Sequence, residues 1–293
     1  MTVIDNASES LAPEERGRDL LLHALLGRPA TIAALVVILI FAIVAIFAPS
    51  LSPYDPLAQS YIKINRPPSA ENWLGTDQFG RDVLSRMIYG SRNSLIFGLL
   101  SPLLAAIIGT ALGVAAGWLG GVVDRIISRI IDLLFSFPEL LLAILIAAAL
   151  GAGFWNIVAV LTIAFTPGFA RVARASTLAV KQEPYVEAAV AVGVRAPRII
   201  IRHIIPNIAA PIVVLATLWT ASAIRLEASL SFLGIGTQPP NPSWGNIIRD
   251  GLNSLFGSPW PIIGAGLAIT CVVLAFNLVG DAVRDLLDPE TAP

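Results

Sequence analysis

Charged residues are scarce in this 293-residue chain, which has 20 Asp and Glu and 19 Lys and Arg, together 13% of the sequence. Soluble proteins contain about 25% charged residues, so this composition excludes a soluble body with a hydrated surface. The net charge of −1 likewise excludes the broadly basic surface that nucleic-acid-binding proteins use. The chain also lacks the phosphate-binding sequence G-x-x-x-x-G-K-[ST], so any ATP is handled by another subunit.

Residues typical of metal and hydrolytic sites are equally few. Cys271 is the single cysteine and lies in an apolar stretch, which excludes an internal disulfide and indicates a small buried hydrophobe. His203 is the only histidine beyond the N-terminal tail, whereas zinc takes three or four ligands. The G-x-S-x-G sequence of serine hydrolases is absent as well. We therefore predict a non-catalytic chain without a metal or cofactor of its own.

Apolar residues, in contrast, make up 56% of the chain and form six stretches long enough to cross a bilayer as helices. Backbone groups inside lipid must be satisfied within the segment, and these stretches lack the alternation of barrel strands. The sequence thus predicts an all-α polytopic membrane protein. Its spans are expected near residues 30–48, 94–117, 131–150, 154–170, 207–229 and 260–280. We expect an N-terminal tail (1–29), a first span with an external loop (30–93) and a five-span core domain (94–293).

The orientation of the spans follows from the basic residues in the loops. The first span is expected to be retained, because its uncharged stretch is longer than a signal-peptide core of roughly 7–15 residues. Twelve Lys and Arg residues fall on the side of the termini and six on the other side. Since cytoplasmic loops carry the excess of basic residues, we predict cytoplasmic termini in a bacterial inner membrane. In the second span, Gly109, Gly113 and Gly117 predict a face for close helix packing.

Two carboxylates within the spans are candidates for the transport pathway, because charged residues at membrane depth usually serve function. Glu139 follows Pro138, which is expected to kink the third span, and Glu227 lies toward the outer end of the fifth. The alternative is that both carboxylates form structural pairs. Arg225 is two residues from Glu227, so the two are expected to have different partners, and Arg225 can reach the membrane interface by snorkelling.

The two long external segments, residues 49–93 and 232–259, are rich in Pro, Gly and Asn. They predict either a structured cap over a pore mouth or a plain solvated connection. Trp244, Pro239 and Pro240 are the candidate cap residues. Asp77 and Asp82 precede a short helix and are expected to cap it or order the loop, in preference to forming an acid–base pair or a cation site.

The most informative segment lies within the internal loop at 171–206. Pro184 suits the first turn of a helix and Gly193 the position after its end, while Pro197 opens and Pro206 closes a second helix. Short helices need tertiary support, so one face is expected to pack on the bundle and the other to dock. An interfacial pair without a partner and a DNA-binding helix-turn-helix are the alternatives, the second disfavoured by the adjacent spans.

Several motifs carry a resemblance to a known family. Residues 184–193 (PYVEAAVAVG) resemble the EAA loop of ATP-binding-cassette importer permeases. Blocks at 74–82 (LGTDQFGRD), 230–236 (LSFLGIG), 242–245 (PSWG) and 276–281 (FNLVGD), with the ending at 284–289, resemble the dipeptide/oligopeptide and nickel permease family, second subunit type. The likeness runs from about residue 25 to the C-terminus in the order of that family.

The resemblance implies a division of labour among subunits. It implies a second homologous permease, two cytoplasmic ATPase subunits or domains that bind ATP and Mg, and an external solute-binding protein. An EAA-type helix pair would dock in a groove of the ATPase. The implied coupling residues are Glu187, Ala188, Ala189, Gly193, Arg198, Arg202 and His203. The resemblance thus predicts a permease for peptides or similar small solutes; a secondary transporter and a membrane-embedded enzyme are the alternatives.

Overall fold

The computed structural model describes residues 28–287. Over that range the chain forms eleven α-helices, one short 3-10 turn at Tyr61–Lys63 and no strand. The expected tail (1–29) and the ending at 288–289 fall almost wholly outside the described residues. The helices are α1 (Pro29–Ile46), α2 (Ala48–Leu51), α3 (Val83–Leu119), α4 (Gly121–Phe135), α5 (Glu139–Leu150), α6 (Phe154–Lys181), α7 (Pro184–Ala191), α8 (Ala196–Ile199), α9 (Ile205–Phe232), α10 (Trp244–Leu252) and α11 (Trp260–Leu287).

Five helical segments among the described residues are long and apolar enough to cross a membrane: α1, α3, α6, α8 continued into α9, and α11. The pair α4 and α5 makes a sixth only as a broken span, because the two helices meet at an angle of 98°. The expected all-α membrane fold is confirmed, and the six predicted spans correspond to these five segments and the broken pair. The third span, predicted at 131–150 with a kink at Pro138, is broken more sharply than a kink, since Pro138 cannot donate a backbone hydrogen bond and separates the two helices.

The second span is also longer than expected. α3 begins at Val83, eleven residues before the predicted start, because Asp82 caps it by accepting a 2.7 Å hydrogen bond from the backbone N–H of Ser85. Asn72 Nδ2 donates to the same carboxylate at 2.8 Å. The preference for Asp82 as a helix cap is therefore confirmed, although the helix it caps is the second span itself and is not short.

α3 and α6 pack along the glycine face that the sequence predicts. Gly109, Gly113 and Gly117 are all buried and lie against the backbone of α6. A Cβ atom at Gly113 would lie only 2.3 Å from the carbonyl oxygen of Ala170. The absence of side chains at these three positions therefore sets the distance between the two helices.

The two ends of the bundle differ in construction. The cap end consists of residues 47–82 and 233–259, including the short helices α2 and α10. The base is the opposite end and carries residues 182–204 with helix α7. Arg28, before α1, forms an ion pair with Asp285, near the end of α11, so the first and last described helices meet there.

The prediction that Pro206 ends a second short helix is wrong. α8, a π-helical turn at Ile200–Ile204 and α9 form one uninterrupted helix of 37 residues, Ala196–Phe232. Pro206 occupies the first turn of α9, where its missing N–H is tolerated. The wider π turn accommodates the proline, because the N–H of Ile205 bonds to the carbonyl of Ile200.

Candidate coupling surface and outer cap

Helix α7 has sharply defined ends at the base of the bundle. Pro184 occupies its first turn, as predicted from the sequence. At its end, Gly193 has a φ of +80°, a conformation that glycine adopts without steric cost. The N–H of Val194 bonds to the carbonyl of Ala189 and that of Gly193 to the carbonyl of Val190, both at 3.0 Å. This Schellman arrangement fixes where the helix stops.

α7 has one face on the bundle and one face open. Its fully buried Val186 joins a cluster of apolar side chains from α3, α6 and the start of the long helix, here called the base cluster: Val114, Ala173, Val186, Ile199, Ile204 and Ile208. On the other face Glu187 and Ala188 are exposed, and Val190 and Val192 are exposed by 53% and 79%. Ala189 is half-buried against the base cluster.

The segment after α7 adds basic side chains to the same end. Arg198 and Arg202 are exposed, and His203 is half-buried with its ring 5.8 Å from that of Tyr185. The isoleucines of this segment do not form one buried face, because Ile201 is 67% exposed. Ile205 is exposed too, whereas Ile199 and Ile204 face the base cluster. The π turn rotates the residues that follow it and so changes which isoleucines point inward.

One continuous helix joins this surface to the cap end. A 37-residue helix, Ala196–Phe232, is roughly 55 Å long at 1.5 Å per residue. Its first turns contribute Ile199, Ile204 and Ile208 to the base cluster, and its last turns carry Glu227 and Leu230. The base cluster therefore packs against the same helix that reaches the cap end.

The cap end is held by a buried network of two carboxylates and two guanidinium groups. Asp77 accepts hydrogen bonds from Arg81 Nε at 2.7 Å and from Arg86. Asp250 on α10 accepts from Arg81 and Arg86 at 3.1 Å each. Asp77, Arg81 and Arg86 are buried, so each charge depends on the others for compensation. The network joins residues 77–86 to α10 across more than 160 positions of sequence.

A second ion pair at the cap end lies on its surface. Lys63 Nζ donates to Glu71 at 2.6 Å. This hydrogen bond, with the positive charge of Lys63, holds the pKa of Glu71 below its usual value. The pair is exposed, so its contribution to stability is small compared with that of the buried network.

Comparison with known proteins decides the family. Residues 109–293 match the model of the binding-protein-dependent transport system inner membrane component, and residues 20–68 match that of the N-terminal transmembrane domain of oligopeptide transport permease C. The chain belongs to the family of binding-protein-dependent transport system inner membrane components. The predicted importer permease is thereby confirmed.

Curated relatives of this permease cover most of its length. It is 42% identical over 264 residues to the dipeptide transport system permease protein DppC of Alkalihalophilus pseudofirmus, with 88% of this chain and 85% of that protein covered. It is 43% identical over 261 residues to the glutathione transport system permease protein GsiD of Escherichia coli O1:K1 / APEC, with the same coverage. Among solved structures, the inward-facing MetNI methionine ABC transporter matches with a TM-score of 0.55 at 16% identity, covering 69% of this chain and 96% of the other.

The permease buries one of the three predicted cap residues. Trp244 is 0% exposed, its Nε1 donates to the carbonyl of Met87 at 3.2 Å, and its ring meets Phe41 edge-on. It is a core residue that seats α10 on α1 and α3, so it belongs to the cap end as an internal packing residue and not as part of an exposed contact surface. Pro239 and Pro240 are exposed, as such a surface requires.

The two candidate pathway carboxylates, Glu227 and Glu139, differ in exposure. Glu227 is 0% exposed and accepts hydrogen bonds from Ser231 Oγ at 2.6 Å and Thr237 Oγ1 at 3.1 Å. It therefore ties the end of α9 to the loop that follows and does not line an open pathway, which corrects the sequence-based expectation. Glu139 is exposed at the start of α5, and Arg225, two residues from Glu227, is exposed on the opposite side of α9, as expected from helix geometry.

Sequence analysis missed two members of the buried network, Arg86 and Asp250. The sequence alone places Arg86 in a basic loop and gives Asp250 no predicted role. The sequence does hold one indication of their role: Arg86 follows the motif at 74–82, and Asp250 follows the motif at 242–245. The other residues of these motifs are mostly buried or cap helices. What the sequence lacks is any indication that these blocks meet, because the contact is between segments that are distant in the chain.

Proposed function

We propose that this permease is coupled to a separate cytoplasmic ATPase through residues 184–206. The observation that supports this is the division of α7 into an anchored face and an open face. Val186 fixes the helix to three membrane helices, while Glu187, Ala188 and Val192 are presented outward. A short helix anchored in this way transmits force, because it cannot shift without shifting the base cluster.

The remaining parts of the proposed importer are supplied by other chains. A second homologous permease shares the translocation pathway, two ATPase subunits or domains bind ATP and Mg, and an external solute-binding protein delivers the cargo. Relatives named for dipeptide and glutathione transport support a cargo of peptides or similar small solutes. In this arrangement the base faces the cytoplasm of a bacterial cell, together with both termini, and the cap end faces outward.

The cap end suits reception of the binding protein. Its exposed apolar side chains include Tyr61, Ile62 and Trp73, which a solvent-exposed loop would not normally gather on one segment. The exposed Pro239–Pro240 pair lies on the other external segment. The buried charge network holds the two segments in one arrangement, so that a partner meets a preformed surface.

The coupling surface is tested by changing the size of one exposed side chain. Ala188→Trp is expected to abolish uptake and reduce copurification of the ATPase, because the added ring holds the two surfaces apart. Folding should be unaffected, since substitutions at exposed sites usually change stability by about 0.5 kcal/mol or less. Ala188→Ser, at the same position and of nearly the same size, is the matched control and should transport normally.

The measurements are ATPase copurification, thermal stability of the purified complex, and ATP-driven uptake in proteoliposomes. Full uptake with a normal amount of bound ATPase in Ala188→Trp would contradict the coupling role. Transport without ATP by the parent chain would instead favour a secondary transporter.

A further inference from the structure

Helix α4 (Gly121–Phe135) has an apolar face and a polar face beside the side that packs on the bundle. Its buried residue, Ile131, holds it on the bundle. The apolar face is a stripe of side chains that are 55–65% exposed: Val122, Ile126, Ile130 and Leu133. Their recurrence at intervals of three and four places them along one side of the helix. The polar face carries Asp124, Arg125, Ser128, Arg129 and Asp132. α4 is therefore amphipathic, and its apolar stripe is not covered by the described part of this chain.

The polar face of α4 borders a cleft of about 720 Å³. Arg125 and Arg129, one helical turn apart, both line this cleft, together with Arg174 of α6. Ile126 lines the cleft and also belongs to the apolar stripe. A bound molecule can therefore touch the two arginines of α4 and its apolar stripe at the same time.

The charges in and beside this cleft are unequally paired. Arg174 donates to Asp124 through Nε and Nη2, the second at 2.6 Å, and Arg171 donates to Asp132 at 3.1 Å. Both aspartates of α4 are thus bound by arginines of α6. Among residues 28–287, the two arginines of α4 itself form no ion pair, and both are exposed. Four arginines against two aspartates leave a surplus of two positive charges, and the arginines of α4 are open to a ligand.

α4 begins at the base of the bundle. α3 ends at Leu119, two residues before α4, and beside this junction Lys181 Nζ donates to the carbonyl of Trp118 at 2.8 Å. Tryptophan and lysine are typical of the level where lipid headgroups meet water. α4 meets α5 at 98°, so the two helices cannot both run along the membrane normal. The first turns of α4, with their two arginines, therefore lie close to the headgroups of the leaflet at the base.

We propose that α4 binds an anionic phospholipid of the leaflet at the base. The guanidinium groups of Arg125 and Arg129 donate hydrogen bonds to the phosphate oxygens, a geometry that suits their fork of N–H donors. One acyl chain lies along Val122, Ile126 and Ile130. The ion pairs to α6 fix the orientation of α4, so both arginines are presented to the headgroup without rearrangement.

The apolar stripe favours a lipid over other anions. A free phosphate or a soluble anionic solute would neutralise the arginines but would leave the stripe uncovered. A basic cleft beside the apolar face of an amphipathic helix is, in general, a site for anionic headgroups. The inference goes beyond the proposed function and does not depend on it, because lipid binding requires neither ATP nor cargo.

The test is equilibrium binding of radiolabelled phosphatidylglycerol to the assembled importer in detergent micelles. The parent should bind phosphatidylglycerol saturably and more tightly than phosphatidylcholine with the same acyl chains. Combining Arg125→Gln with Arg129→Gln should weaken phosphatidylglycerol binding about 25-fold, because each basic residue near an anionic headgroup contributes about fivefold. Combining Ile126→Ser with Ile130→Ser should weaken the binding of both lipids, because part of the apolar stripe is lost.

Two controls separate the charge of the site from effects on folding. Arg125→Lys with Arg129→Lys keeps both positive charges and should retain most of the preference for phosphatidylglycerol. Arg92→Gln removes an exposed arginine near the cap end of α3, away from the cleft, and should bind as the parent does. All variants should elute from a size-exclusion column as the parent importer does.

Equal affinity of the parent for the two lipids would overturn the proposal, and so would unchanged phosphatidylglycerol affinity in the double glutamine variant. Glycerol 1-phosphate carries the same phosphate without acyl chains and should not compete at the concentrations at which the lipid binds. Competition at equal concentration would refute the lipid in favour of a soluble anion. Failure of the proposed function is a separate result, because it appears as absence of ATP-driven uptake and of bound ATPase in the parent.

Discussion

The contact between α3 and α6 allows a quantitative prediction at Gly113. Replacing Gly113 by Ala places a methyl group 2.3 Å from the carbonyl oxygen of Ala170 and 2.7 Å from the Cβ of Ala173. Neither neighbour is the flexible end of a long side chain, so the two helices must separate. Overpacking of this kind costs typically about 1–3 kcal/mol.

Part of this cost is offset by the helix itself. Alanine is favoured over glycine inside a helix by roughly 0.5–1 kcal/mol, so subtracting the midpoints of the two ranges leaves a net destabilisation of about 1 kcal/mol. At about 2–4 °C per kcal/mol for a chain of 150–250 residues, the apparent Tm should fall by about 2–4 °C.

A matched glycine separates the steric effect from the helical one. Gly266 lies in α11, and a Cβ atom there would have nothing within 4 Å. Gly266→Ala should therefore leave the Tm of the isolated chain unchanged or raise it slightly. Thermal unfolding of both variants in detergent, followed by size-exclusion chromatography, checks the difference. If Gly113→Ala proved as stable as Gly266→Ala, close helix contact would not be what the glycine face provides.

Two further predictions concern the cap end. Trp244→Ala should destabilise the chain by about 3–5 kcal/mol, the usual cost of removing a buried aromatic side chain. Trp73→Ala, at an exposed position, should be nearly neutral. Chemical denaturation measures both variants, and equal effects would contradict the core role of Trp244. Asp77→Asn should cost about 3–5 kcal/mol because it leaves a buried guanidinium without compensation, and protease digestion should then cleave the external loops faster. Glu71→Gln, in the exposed pair, should digest at the parent rate, and equal rates for both variants would refute a stabilising network.

Much of the fold could be predicted, because a segment that crosses lipid must be long, apolar and hydrogen-bonded within itself. An apolar stretch long enough to cross a bilayer can do so only as a helix or as a strand of a closed barrel. The number and order of the spans could therefore be predicted from the apolar stretches of the sequence. The ends of α7 could also be predicted, because Pro184 and Gly193 act through local backbone geometry. These are properties of neighbouring residues, and a single sequence records them directly.

The errors have a common physical origin in contacts between distant segments. Residues 83–93 contain Arg86, Arg92 and Asn93 and so read as a loop, yet the helix continues through them because Asp250 compensates Arg86 from α10. Trp244 stands among loop residues, and nothing in the sequence indicates that α1 and α3 enclose it. Pro206 predicts a helix end, since nothing in the sequence reveals that a π turn precedes it.

The charges of this chain illustrate what the structure adds to the sequence. The sequence shows that ionisable residues occur in an apolar chain and that each needs a reason to be there. The structure shows which of these charged residues have partners within the chain. Asp77 and Arg86 form an ion pair inside the cap end, and Glu227 accepts hydrogen bonds from hydroxyl groups. Groups satisfied within the chain explain its stability. Glu187 is exposed on the open face of α7 and forms no ion pair among the described residues, so it is the charge of this helix that an ATPase groove can reach in the proposed coupling.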